Sequence, residues 1–236
     1  IVDNRTGAAG IVGTEYVAAA KPDGYTVLYA ASSIMTVIPL INSKLTFAPL
    51  RDFVPVHGLG SYDMVLVTST TRSPQFKDVK SLIDYAKKNP DQKMSFGSAG
   101  IGSAHHIAGE LLKQKTGINM VHVPYRGGGP AIQDLVAGHI PISFGTTPAV
   151  LPQAQGGTIR ILALAEAKRS PDLPDVPTIS ETVEGVITYT WVGVFAPAAW
   201  VLLPYRMHLP MAEDLLYSGR SIGAAVAHAC GLVHTV

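Results

Sequence analysis

Two spacings of apolar positions alternate along this chain. Short, nearly continuous β-branched and aromatic runs read as strands: residues 25–30, 54–59, 64–68, 94–96, 118–123, 140–144, 159–165 and 188–195. Between them the apolar residues fall at helical spacing. The clearest case is 77–89, where Val79, Leu82, Ile83 and Ala86 share one face and Lys80, Asp84, Lys87 and Lys88 lie outside it. Asn89-Pro90-Asp91 stops that helix. Weaker helical patterns cover 6–20, with Ile11, Val12, Tyr16 and Val17 on one side, and 104–115, 131–137 and 148–155. Gly117 and Gly138 close two of these, and 209–217 is a further helix candidate. Strand, loop and helix in alternation predict an α/β fold with mostly parallel sheets.

Composition sharpens this picture. At 236 residues the chain suits one large domain or two small ones, and a net charge of +1 with no Lys/Arg-rich run gives no reason to expect nucleic acid. One cysteine, Cys230, excludes an internal disulfide, a CxxC motif and a Cys-based zinc site. Three uncharged stretches, 24–43, 136–159 and 185–205, are each broken by proline and read better as buried strands than as membrane spans. The chain begins Ile-Val-Asp-Asn-Arg, without Met or a signal peptide, and is expected to be a fragment.

The chemistry gathers in loops that follow strands. Ser98-Ala99-Gly100-Ile101-Gly102-Ser103 joins a strand end to a helix start. Free N–H groups and the helix dipole there favour an anion, and two glycines permit close approach of backbone. Ser98 and Ser103 are expected to add hydroxyl donors. No Lys follows, so this is not a phosphate-cradling P-loop, and a plain helix cap explains the same residues. The next strand leads into Pro124-Tyr125-Arg126-Gly127, whose arginine suits a carboxylate or phosphate, or merely solvent. His105 and His106 are adjacent on a helix, hence about 100° apart, and do not share a metal. His106 and Glu110 stand at i,i+4, but two ligands do not make a metal site. No nucleophile elbow is present. Ser103 with His106 is a possible hydrolytic pair without a visible orienting carboxylate. Asp63, Asp134 and Glu166 read as surface or cap residues.

These segments resemble one family. Asp3 through Gly10 is similar to its ENRpGAgG segment and Pro22-Asp23-Gly24-Tyr25-Thr26 to PDGYTL. Residues 98–106 are similar to SaGxGSxxH, and Val123-Pro124-Tyr125-Arg126-Gly127 to VPYkG. Residues 168–178 are similar to kRsxxlPDVPT and 191–197 to WxGxfAP. Over residues 1 to about 198 the chain resembles the substrate-binding receptors of tripartite tricarboxylate transporters, the Bug family. The resemblance implies a periplasmic, two-lobe receptor of the periplasmic-binding-protein type II fold, with each lobe a mostly parallel sheet flanked by helices. The first lobe would comprise 1–92 and 188–236 and be incomplete, and the second 93–187. It further implies a small carboxylate held in the cleft between the lobes and delivered to membrane subunits, with no cofactor, no metal, no catalysis and a monomeric state. By match, the ligand-binding residues are Ser98, Ala99, Gly100, Gly102, Ser103 and His106, then Pro124, Tyr125, Arg126 and Gly127, with Thr146 and Thr147 after the next strand. Ser32 and Ser33 would serve from the first lobe. Three departures stand out. The family's first strand, glycine-rich ligand loop and first helix precede the segment where this chain begins. Pro141 and Gly145 stand where the family usually has Asp. From Ala198-Ala199-Trp200 onward the sequence leaves the family pattern, as a shifted reading frame would make it do. A transcription regulator's effector domain and a Ser/His hydrolase are the alternatives.

Overall fold

The computed structural model describes residues 1–198. The candidate helix at 209–217 and the departing tail lie outside the described residues. The chain divides into two compact units, one built from residues up to Ser61 and again from Trp191, the other from Tyr62–Thr190.

The first unit opens with a tight 3-10 turn, Ala8–Gly10, and α1 (Ile11–Ala18). It continues through β1 (Leu28–Ala31), three short helices, α2 (Ser32–Thr36), α3 (Ile38–Ile41) and α4 (Pro49–Asp52), and β2 (Phe53–Tyr62). The second unit holds β3 (Met64–Ser69), α5 (Val79–Lys88), β4 (Met94–Ser98), α6 (Ala104–Thr116), β5 (Met120–Pro124), α7 (Gly128–Ala137), β6 (Ile142–Thr146), α8 (Thr147–Gln155) and β7 (Ile159–Leu164). The chain then returns to the first unit as β8 (Thr190–Pro197).

In the first unit the sheet order is β1-β8-β2, and β1 pairs with β8 antiparallel, Leu28 opposite Phe195. Leu28, Ala30, Ile34, Ile38, Phe53, Trp191 and Phe195 form its core with Val17 of α1. In the second unit the order is β5-β4-β6-β3-β7. β4 runs parallel to β5 and β6, whereas β3 is antiparallel to both β6 and β7. Four strands of this sheet therefore share a direction and β3 alone opposes them. A parallel pair needs a crossover helix. β3 and β8 enter their sheets from the other unit rather than through such a crossover; β3 is antiparallel to both its neighbours and β8 to β1.

The segment 62–92, expected in the first lobe, belongs to the second unit. β3 is an interior strand there, between β6 and β7, and every residue of β3 is buried. Met64 and Leu66 face a cluster with Phe96, Phe144, Leu82, Ala108 and Leu112, while Val65 and Val67 face Ile132, Leu135, Val150 and Leu164. This two-sided burial is why the run carries no polar alternation. α5 packs the first face with Val79, Leu82, Ile83 and Ala86, the predicted stripe. Its start is fixed by a capping box, in which the Ser81 N–H donates to Asp78 Oδ1 at 2.6 Å and the Asp78 N–H to Ser81 Oγ at 3.1 Å.

Candidate functional site

Parallel β5, β4 and β6 bring three strand ends to one edge of the second unit, and a helix starts directly after each. Ser98 stands opposite Pro124 in the β4–β5 ladder. The Tyr125 N–H donates to the Ser98 carbonyl at 3.0 Å, which ties the loop after β5 to the loop after β4. The sheet thus places the predicted residues 98–103 and 124–127 side by side, with Thr146 and Thr147 at the end of β6. Ser32 and Ser33 begin α2 in the first unit and are buried there.

The first loop is shaped by hydrogen bonds of its own. Gly100 and Gly102 adopt φ of 128° and 83°, the region that favours glycine. Ser98 Oγ accepts the Gly100 N–H at 3.0 Å and lies 2.5 Å from His122 Nε2. Ser103 Oγ donates to the Gly100 carbonyl at 2.7 Å and accepts the His106 N–H at 3.3 Å, so it caps α6. The Gly102 N–H donates to His106 Nδ1 at 3.2 Å. Both serine hydroxyls, expected to be ligand donors, are therefore buried and committed to the loop itself. A small polar residue beside a positive-φ glycine turns back onto the backbone more readily than outward. The N–H groups of Ala99, Ile101, Ala104 and His105 have no partner among the described residues. They form a row of donors at the N-terminus of the 13-residue helix α6.

The neighbouring helices add to this. Neither α7, after Gly127, nor α8, after Thr146, has a side-chain cap, so their first turns leave N–H groups open. The Thr147 N–H is taken by the Asp63 carbonyl at 3.0 Å. Arg126 is exposed and makes no ion pair among the described residues. Tyr125 donates its hydroxyl to Asp134 Oδ2 at 2.8 Å. Burial, and then this bond, push the phenol up to about 12, and the same bond holds the Asp134 carboxyl below its ordinary range. Asp134 thereby anchors the second loop to α7.

Sequence reasoning missed one side chain at this edge, His122, and read another, Glu166, as a surface or cap residue. His122 lies opposite Phe96 in the ladder, stacks on it at 5.0 Å, and faces the His106 ring at 4.1 Å. Burial pulls the His122 imidazole down to about 4, and His106 is lowered for the same reason. Glu166 follows β7 and accepts the Met64 N–H at 3.0 Å, and its half-buried carboxyl is raised by burial. A histidine inside a strand carries no local signal; the parallel register would have been needed to find it. The pairing of Ser103 with the His106 ring does not form, since each is engaged elsewhere. Among the described residues no group of three or more His, Cys, Asp or Glu gathers as metal ligands do, and no helix is long and apolar enough to cross a membrane.

Two α/β units, with donor-rich loops after parallel strands, define a periplasmic-binding-protein-like fold. The chain belongs to the tripartite tricarboxylate transporter family receptors, whose family model matches residues 1–200. A curated relative, the UPF0065 protein in the tcbD-tcbE intergenic region of Pseudomonas sp. (strain P51), is 37% identical over 199 residues, which is 84% of this chain and 58% of that protein. The chain thus spans little more than half the length of this relative. Among solved structures, R. palustris Rpa4515 with adipate is 31% identical with a TM-score of 0.80, covering 93% of this chain and 70% of that one. MatC (Rpa3494) from Rhodopseudomonas palustris with bound malate is 28% identical with a TM-score of 0.74, covering 90% and 69%.

Proposed function

We propose that this chain is the ligand-binding part of a periplasmic receptor that captures a small carboxylate and delivers it to the membrane subunits of a tripartite tricarboxylate transporter. The observation that carries this reading is the edge of the second unit. There three helix N-termini, the open N–H groups of Ala99, Ile101, Ala104 and His105 and the unpaired Arg126 gather with no acidic partner on the arginine. Such an edge favours an anion, and each uncapped helix start contributes roughly 0.3–1 kcal/mol toward one. Similar proteins holding adipate and malate support a carboxylate in particular. Recognition rests on backbone N–H groups of Ala99, Ile101 and the first turn of α6, with Arg126 as counter-charge. Gly100, Gly102, Ser98, Ser103 and His106 shape the loop. Pro124, Tyr125 and Gly127 position the second loop, and Thr146 and Thr147 close the row. The receptor acts as a monomer, without a cofactor and without covalent chemistry.

The test is the melting temperature of the chain with and without a panel of mono-, di- and tricarboxylates, adipate and malate included. A ligand at a hundredfold excess over its Kd adds about 2.7 kcal/mol of stability. Gly102→Val, which forces a β-branched side chain into a positive-φ position, is expected to abolish that gain. A carboxylate that stabilised Gly102→Val as much as the parent would place the site elsewhere. The absence of any shift across the panel would remove the carboxylate reading.

A further inference from the structure

The stacked imidazoles beside the loop hold more than its shape. Building on the carboxylate reading above, we propose that His106 and His122 are positioning residues that lock the 98–103 loop only while both are neutral, so that acidification releases the loop and the ligand with it.

The argument is a count of protons. Gly102 donates its N–H to His106 Nδ1, so that nitrogen carries no proton and Nε2 carries the one that a neutral ring has. Ser98 Oγ accepts the Gly100 N–H, and its single proton has two acceptors in reach, His122 Nε2 at 2.5 Å and the Gly100 carbonyl at 3.3 Å. We assign that proton to the shorter contact, which makes His122 Nε2 the acceptor and leaves the ring proton on Nδ1. Each imidazole thus accepts one bond from the loop. Between them they fix Ser98 and Gly102, which flank the open N–H groups of Ala99 and Ile101.

Protonation breaks the first bond and reverses the second. A proton on His106 Nδ1 sets two donors against each other across 3.2 Å. A proton on His122 Nε2 turns it into a donor to Ser98 Oγ and drives the serine proton toward the Gly100 carbonyl, which already accepts Ser103 Oγ and the Ser103 N–H. The two rings lie 4.1 Å apart at 30°, so a second charge is opposed by the first. The groups that face them leave little compensation. Phe96, on the other side of His122, is apolar. On α6, Glu110 favours the charged imidazoles and Lys113 opposes them, and these two are paired with each other at 3.0 Å. Burial therefore decides, and both rings are held neutral at pH 7.

The experiment has two arms on the full chain. In the first, long-range 1H–15N spectra identify the tautomers, and the Gly100 and Gly102 amides are followed from pH 7.5 to 4. We expect His106 as the Nε2–H form and His122 as the Nδ1–H form, with both glycine amides titrating together with the rings. In the second arm, adipate and malate affinities are compared at pH 7 and pH 4 in the parent and in His106→Asn/His122→Gln, which offers non-titrating acceptors near the same positions. Each imidazole that must shed a proton to bind costs about tenfold in affinity per pH unit below its pKa. The acid loss should be steeper in the parent than in the double variant, where only the ligand's own titration remains. Far-UV circular dichroism at pH 4 confirms that each protein is folded. Equal acid losses, or His106 protonated at Nδ1 at pH 7, would overturn the proposal. If neither carboxylate binds at pH 7, the receptor reading fails, and the tautomer arm still decides the role of the histidines.

Discussion

Replacing Gly109 by alanine tests the packing beneath the site with opposing effects of known sign. Gly109 lies inside α6 and is buried. In an unhindered helix this change stabilises by about 1 kcal/mol, because glycine is the poorer helix former. Here the new Cβ would stand 2.0 Å from Phe96 Cε2 and 2.5 Å from Cδ2 and Cζ. Carbon contacts settle near ~3.5–4.0 Å, so ring and helix must separate by well over 1 Å. Phe96 has no free side to move to. It is fully buried, with His122 stacked on it at 5.0 Å and Phe144 edge-on at 6.3 Å. Overpacking of this kind costs about 1–3 kcal/mol, and a clash this short belongs at the upper end. We expect a net loss of about 1–2 kcal/mol, read as a lower urea midpoint and a Tm reduced by roughly 2–4 °C per kcal/mol. In a Phe96→Leu background the same alanine should cost less, and the double-mutant cycle gives the coupling. A Gly109→Ala protein as stable as the parent would show that Phe96 is not held as described, and the stack that supports His122 would lose its foundation.

Acid should weaken the fold before its carboxylates titrate. Burial lowers His105 and His122 to about 4, so the unfolded chain takes up their protons from about pH 6.5 downward while the folded chain does not. This stability is complete above pH 6.5 and is lost as pH falls toward 4, at up to about 1.4 kcal/mol per pH unit for the buried His105 and less for the partly exposed His122. Urea midpoints at pH 7.5, 6 and 5 measure it, and a flat profile would contradict the burial of these rings. Glu166, raised by burial, works in the opposite direction as it gains its proton. Asp78→Ala removes the cap of α5 and should cost about 1 kcal/mol in the same assay, with Asp78→Ser recovering most of it. Equal midpoints for Asp78→Ala and the parent would refute the capping assignment.

How far the sequence carried the reader differs from residue to residue. α5 was legible because Val79, Leu82, Ile83 and Ala86 form a complete stripe that ends at Asn89-Pro90. β3 was legible as a strand but not as a member of the second unit, because a continuous apolar run reports burial on both faces and says nothing of its partners. Those partners, Phe144 and Ala163 opposite Leu66, lie far along the chain. The short helices α2, α3 and α4 have too few residues to show a period. At the site, the glycines and strand-end positions of both loops were readable, since chain order and parallel topology together bring them to one edge. The direction of the Ser98 and Ser103 hydroxyls was not, because residue type gives a donor but not its acceptor. Gly145 has a local reason: a Cβ there would come within 2.8 Å of Val150 Cγ1, a side chain that fills the space.

The reversed strand β3 also sets an order of assembly. It emerges early in synthesis, yet both its neighbours, β6 and β7, emerge late. Until residue 164 exists, this fully buried strand has no complete place to pair. Non-local pairing of this kind makes folding slow, on the order of milliseconds to seconds, and leaves an adhesive strand uncovered meanwhile. The β3 side of the sheet is thus the last part of it to close, and a nascent chain halted before β6 would hold every ingredient of the α6 loop on the β4–β5 pair alone.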